Sequence, residues 1–246
     1  MSVLSDEELE RYSRALVLPE WGQAQQLRVR RGRVLVVGAG ALGSPVALYL
    51  AGAGVGRLGI ADDDEVELSN LHRQFLHFTP DVGVPKAHSA AAKLRFLNPE
   101  IVIEPYPVRV GEGNAPGLVA DQDLVVDCSD SFATRYAINA ACCGAGVPLV
   151  EGGVVGFTGL VMAIRPFETA CYRCAFPAAP PAAPSCAEAG ILGPAAGVVG
   201  AMQALEALKL LAGIPVREGF VQVDLHDLAT TRVSVPRRAD CPDCGS

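Results

Sequence analysis

The chain has 246 residues, half of them hydrophobic and 19% charged, which excludes a mainly disordered polymer and lets a substantial core form without a metal or disulfide. With 20 Lys+Arg against 27 Asp+Glu the net charge is −7, excluding broad electrostatic adhesion to nucleic acid or an anionic membrane. An anionic ligand must therefore be held by a local cluster of cations.

The acidic residues 1–10 lack the apolar stretch of a signal peptide, so a cytoplasmic chain is expected, in which paired cysteines point to metal or redox chemistry and not to structural disulfides. Ser5 with Glu8 is a capping box that predicts a helix over residues 6–14, inside an N-terminal helical segment 1–30, with Arg11 and Arg14 on one face. The basic run 28–33 reads as a solvated approach to a strand at 34–37. Gly38-Ala-Gly-Ala-Leu-Gly43 ends that strand and opens an apolar helix to about residue 53, and a second strand at 58–61 completes a βαβ unit.

Apolar spacing predicts a helix over 86–97, closed by Asn98-Pro99, then a strand at 101–106. A strand at 124–127 ends in Cys128-Ser-Asp130 and precedes a helix at 132–145. Strands at 148–151 and 157–164 flank an expected glycine turn at Gly152-Gly153. Residues 175–190, rich in Ala and Pro over 175–184, read as a mobile loop. The apolar stretch 191–213 is interrupted by Gln203, Glu206 and Lys209, so it reads as a buried helix from about 196 to 212 and not as a membrane span. Strands near Val221 and Val233 follow. This alternation predicts one α/β domain over 1–246 with a doubly wound, Rossmann-like, mostly parallel sheet and a C-terminal strand extension.

The order strand, Gly38-x-Gly40-x-x-Gly43, helix has a mechanism. Small residues make a tight turn, and the helix N-terminus offers free N–H groups to phosphate. Asp62, about 20 residues on, suits ribose hydroxyls. The alternative is a turn that serves packing alone. Arg73 and Lys86 are carried beside the second strand, with Lys86 at an exposed helix start in a chain of only three lysines. Two such cations suit a triphosphate; the plainer reading is a pair of solvated surface charges. Asp130 lies beyond another strand's carboxyl end, where it either binds Mg²⁺ held by phosphates or caps the next helix.

Cys171-x-x-Cys174 and Cys241-x-x-Cys244 match the ligand type and spacing of a closed tetrahedral zinc site, which has no open position for catalysis; redox-active pairs or free thiols are the alternatives. Cys186 is either an acyl or sulfur acceptor or a bystander thiol. Cys128, Cys142 and Cys143 read as core, and His72, His77, His88 and His226 form no metal spacing.

Taken together, Gly38 to Gly43, Asp62, Ser69-Asn-Leu-x-Arg-Gln74, Lys86, Asp130, the two C-x-x-C knuckles and Cys186-x-Glu-Ala-Gly190 resemble the ThiF/MoeB/HesA family, the bacterial relatives of ubiquitin-activating enzymes, in a pattern nearest its MoeB branch. The likeness runs from Arg11-Tyr-Ser-Arg14 to Cys244. It implies ATP-dependent adenylation of the C-terminal glycine of a small ubiquitin-like sulfur-carrier protein ending in Gly-Gly, for molybdopterin, thiamin or tRNA thiolation. It further implies that Gly40 and Ala41 meet the phosphates, Asp62 the ribose, and Ser69, Asn70, Arg73 and Lys86 the nucleotide. Asp130, beside Ser131, would hold Mg²⁺, and Arg14 would reach into the second subunit of a homodimer. Cys186 becomes the candidate sulfur acceptor, and a separate sulfurtransferase or cysteine desulfurase the sulfur donor, since no sulfurtransferase domain follows Cys244. Ala41 and Ser131 stand where relatives often carry Gly and Asn.

Three rivals remain. An NAD-dependent oxidoreductase explains the glycines and Asp62 but leaves Arg73, Lys86 and the knuckles without a role. A nucleic-acid zinc ribbon conflicts with the net charge of −7. A tRNA-base dehydratase within the family is expected to carry a more basic surface.

Overall fold

The computed structural model describes residues 3–179 and 190–245. Five parallel strands, β1 (Arg33–Val37), β2 (Arg57–Ala61), β3 (Val102–Tyr106), β4 (Leu124–Asp127) and β5 (Leu149–Val155), lie in the spatial order 3-2-1-4-5. Antiparallel β6 (Thr158–Ile164), β7 (Phe220–Asp224) and β8 (Ala229–Val233) extend the sheet to eight strands. The predicted doubly wound sheet and its C-terminal extension are both present.

Runs such as Val34–Val37 are apolar at every position because both sheet faces are covered. Val34 and Val36 pack under α4 (Gly43–Gly52), α5 (Lys86–Leu97) and α9 (Gly193–Ala212). Leu35 and Val37 face α6 (Ala115–Val119), α7 (Phe132–Ala145) and the Cys171 knuckle, whose residues Tyr172–Ala175 form the short α8. α9 is long and apolar enough to cross a membrane by length and composition. Here it packs against α4 and the middle of the sheet, and its fully buried Gln203 donates to the Asp127 carbonyl at 2.8 Å.

Several elements differ from the sequence reading. The capping box at Ser5 and Glu8 forms, but the helix over 6–14 is divided into α1 (Asp6–Arg11) and α2 (Ser13–Leu16). The break falls at Tyr12, which is buried with its ring against Gly54 and its hydroxyl accepting from Asn98 Nδ2 at 3.0 Å. The basic run is exposed at Arg28, Arg31 and Arg33, as a solvated approach requires, but it is helical and anchored. It ends α3 (Gln23–Arg31), where Arg28 donates to the last carbonyl of α9 at 3.0 Å and Arg30 pairs with Glu8 at 2.9 Å. Gly152 and Gly153 lie inside β5, and the chain turns at Gly156. A Cβ on Gly152 would fall 2.1 Å from the Gln203 side chain, and one on Gly153 3.3 Å from Arg135, so close approach and not turning dictates the pair. α6 was not foreseen, and α9 starts at Gly193 with Pro194 in its first turn. Residues 180–189, with most of the expected mobile loop and Cys186, lie outside the described residues.

The tightest local constraint is at Gly43. A Cβ there would lie 1.8 Å from the Gly38 carbonyl oxygen. Gly43→Ala is therefore expected to lower unfolding stability by about 3 kcal/mol in urea titration, while a loss below about 0.5 kcal/mol would show that the turn relaxes freely.

Candidate functional site

Strand order reverses between β1 and β4, and the crevice outside their carboxyl ends opens into a cavity of about 350 Å³. Gly38, Gly40, Ala41, Asp62, Arg73, Lys86, Asp130 and Ser131 all line it. Gly38 holds φ +93°, and a Cβ on it would meet the Cys128 carbonyl oxygen at 2.8 Å. Gly43 does not line the cavity; it lets α4 start against the end of β1. Gly40 has space beside it: a Cβ built there would meet nothing nearer than Gln74 Nε2 at 3.7 Å, outside its chain neighbours. The N–H groups of Gly40, Ala41 and Leu42 have no partner among the described residues. The turn therefore presents donors and space together, as a phosphate requires.

Asp62 follows the last residue of β2 and braces this turn. Its Oδ2 accepts from Ala39 N–H at 2.7 Å and its Oδ1 from Asp64 N–H at 2.9 Å. Burial pushes its carboxyl up, against those hydrogen bonds and Lys86, which pull it down. Lys86 is not at an exposed helix start, as expected, but is only 5% exposed. Its Nζ reaches Asp64 Oδ2 at 2.8 Å, and Asp64 itself stands in solvent.

Ser69 and Asn70, expected at the nucleotide, do not line the cavity: Ser69 is exposed and Asn70 buried. Asn70 Oδ1 accepts from Glu67 N–H at 3.2 Å, its carbonyl accepts from Arg73 and Gln74 N–H at 3.0 Å each, and Arg73 Nη1 donates to the Ser69 carbonyl at 2.7 Å. These two residues shape the turn that carries Arg73 and Gln74 into the lining. Of the two roles left open for Asp130, capping falls to its neighbour: Ser131 is the N-cap of α7 and accepts from Thr134 N–H. Asp130 is exposed on the rim, and its carboxylate has no partner among the described residues. Arg14 is exposed on α2 and does not line this chain's cavity.

Sequence reasoning missed Gln74, Arg109 and Arg135, which also line the cavity. The available signal was a carboxylate at or near the end of each of two apolar strands, Asp127 and Glu151. These residues sit side by side across β4 and β5, both fully buried. Arg135 donates to Glu151 Oε1 at 2.5 Å and to the Ser129 carbonyl at 2.6 Å, while Asp127 Oδ1 accepts from Ser129 N–H at 2.8 Å. Asp127 Oδ2 and Glu151 Oε2 have no other partner. One guanidinium does not balance two carboxylates in a buried site, and both carboxyls are pushed above their usual values, by burial first. Burial first, then the charge of Asp127, pushes Glu151 well above its usual value, with Arg135 opposing.

On the far side of α7 the four knuckle cysteines gather, all buried, with every Sγ within 4.8 Å of the others. Cys171 and Cys174 are 3.8 Å apart, Cys171 and Cys241 3.6 Å, and Cys174 and Cys244 3.4 Å. Thiolates about 2.3 Å from a tetrahedral ion stand at about that spacing, so the donor set fits zinc. N–H groups of Asn139 and Arg238 point at Cys171 and Cys174 Sγ at 3.5 and 3.4 Å, and polarise those sulfurs.

A carboxyl raised on folding contributes stability that is complete below its ordinary value and lost as pH climbs through the raised one. For Glu151 that loss begins above 4.5. Urea titrations are expected to show wild type losing stability relative to Glu151→Gln as pH rises from there; a pH-independent difference would dismiss the raised carboxyl.

The model of the ThiF family matches residues 12–243. The chain is 46% identical over 242 residues to a SAMP-activating enzyme E1 from Haloferax volcanii, covering 97% of this chain and 89% of that one. It is 47% identical over 249 residues to a sulfur carrier protein adenylyltransferase from Thermus thermophilus, covering 97% and 92%. The crystal structure of Escherichia coli MccB with an MccA derivative superposes with a TM-score of 0.87 at 22% identity, covering 99% of this chain and 76% of that one, which establishes likeness of fold.

Proposed function

The chain belongs to the ThiF family, and from that premise we propose that its cavity binds ATP and adenylates the C-terminal glycine of a small ubiquitin-like sulfur-carrier protein ending in Gly-Gly. The observation that carries this reading is the meeting, in one cavity, of the unpartnered N–H groups after β1, two cations and an unpaired carboxylate. The names of the two relatives point to the same reaction class.

In that reaction a carboxylate oxygen of the carrier attacks the α-phosphorus, the α–β bridging P–O bond breaks, and pyrophosphate leaves. An anion attacking an anion needs its charge offset and its approach fixed, which cations and backbone donors supply. No enzyme nucleophile is needed. Cys128 lines the cavity, but burial first, then Asp127 and Glu151, holds its thiol well above its usual value. In our assignment Gly40 and Ala41 meet the phosphates, Lys86 and Arg73 the triphosphate charge, and Asp130 a Mg²⁺ carried by the nucleotide. Arg14 would complete the site of a second copy in a homodimer. Asp62 can take a ribose hydroxyl only on lone pairs left after bracing the turn. Cys186 is assigned to later sulfur transfer from a separate donor protein. An NAD-dependent reading leaves Lys86 and Asp130 without work.

The test is carrier-dependent exchange of pyrophosphate into ATP. Lys86→Ala and Asp130→Ala are each expected to lower exchange at least about 100-fold while the chain stays folded, and Cys186→Ala to leave it intact. Wild-type rates in the first two, or no exchange by the wild type with any Gly-Gly carrier, would sink the reading.

We assign Zn²⁺ to the cysteine cluster in a structural role. Metal analysis is expected to find one zinc per chain in the wild type and none in Cys171→Ser, with a lower melting temperature. A zinc-free wild type of undiminished stability would remove the assignment.

A further inference from the structure

His77 is 2% exposed, and nothing so far gives it work. Its Nε2 lies 2.8 Å from the Ala39 carbonyl oxygen and its Nδ1 2.8 Å from Ser89 Oγ. Lys93 Nζ stands 2.9 Å from the same Oγ and pairs with Asp81. An ammonium only donates, so Ser89 Oγ accepts from Lys93 and offers its own hydrogen to His77 Nδ1 or to the Asp81 carboxylate, which it also meets. A carbonyl only accepts, so His77 carries its hydrogen on Nε2 and gives it to Ala39. Burial holds the ring below its usual pKa, with Lys86 and Lys93 adding to that and the Ala39 hydrogen bond and Asp81 opposing, so it is neutral.

The consequence lies on the other side of the same peptide. The described chain has no cis bond, so the Ala39 carbonyl and the Gly40 N–H point in opposite directions. With the carbonyl drawn inward to His77, the Gly40 N–H is turned away from the ring; Gly40 lines the cavity, and that N–H has no partner among the described residues. Asp62 holds the Ala39 N–H, so residue 39 is clamped at both ends.

We propose that His77 is a positioning residue for nucleotide binding, whose hydrogen bond to the Ala39 carbonyl aims the Gly40 N–H at a phosphate. This rests on the ATP reading above. Calorimetry on the full chain without carrier tests it with ATP as the probe. His77→Leu keeps the bulk but loses the donor, and its ATP dissociation constant is expected to rise about tenfold. His77→Gln places an amide N–H near the position of Nε2 and is expected to stay within about twofold of wild type. In exchange assays the Leu variant's loss should fall on KM for ATP and leave KM for the carrier unchanged. Unchanged ATP affinity in His77→Leu, or equal losses in Leu and Gln, would overturn the proposal while the ATP reading stands. A wild-type chain that does not bind ATP would overturn both. Should His77→Leu not fold, ¹⁵N spectra of the wild type decide: hydrogen on Nε2 supports the clamp, and hydrogen on Nδ1 alone overturns it.

Discussion

In a parallel sheet covered on both faces, a polar side chain finds water or a ligand only at a strand end. That constraint arranges this molecule. β1 and β4 send their crossovers to opposite sides, so their carboxyl ends are left uncovered at one place. The glycine turn leaves β1 there, Asp62 follows β2, Asp127 ends β4, and Glu151 lies beside it on β5. The apolar strands exclude these groups from their middles, and the switch in strand order gathers them around one cavity.

An acidic chain must then make that cavity attractive to an anion. Arg73, Lys86, Arg109 and Arg135 line it, but two of them are compensated differently. Lys86 is buried while its partner Asp64 is 68% exposed, so Asp64 would be rehydrated cheaply if an anion took its place. Glu151, the partner of Arg135, is fully buried, and displacing it would strand a charge in the core. Lys86 is therefore the cation available to a ligand, whereas Arg135 is part of the frame under Ser129 and Asp130.

How much of this was legible depended on the range of the interactions. α5 and α7 were read to their ends because their stop signals are local: Asn98-Pro99 after one, and a left-handed Gly146 after the other. α3 falls in the helical segment expected over 1–30, but its bounds were not legible, because it is polar almost all round and is held by Arg28 at the end of α9, 184 residues away. Gly152-Gly153 looked like a turn because the side chains that require its bareness, Gln203 and Arg135, come from other elements. At the site, the motif chemistry of Gly38 to Gly43, Lys86 and Asp130 was readable. The hydrogen bonds of Ser69 and Asn70, which the resemblance assigns to the nucleotide, go to the turn itself, a pairing the motif does not display. His77 shows no spacing signal, because its partner is a backbone carbonyl 38 residues earlier.

With the zinc assigned above, the cysteine cluster would have no open position, so it would act on the chemistry only through what it holds still. What it holds is α7. Asn139, on that helix, accepts from Tyr172 N–H at 2.8 Å and donates to Asp243 Oδ2 at 2.7 Å, which ties both knuckles to one side chain. Arg173 also binds Asp243, at 2.8 Å, and lies over the Tyr136 ring 4.4 Å from its centroid. One turn earlier on the same helix, Arg135 supports the Ser129 carbonyl, and Ser131 caps the helix at the cavity rim. A 14-residue helix is stiff over that span, so the placement of Asp130 is set by the cap at the start of α7 and, two turns on at Asn139, by a cysteine cluster that does not line the cavity.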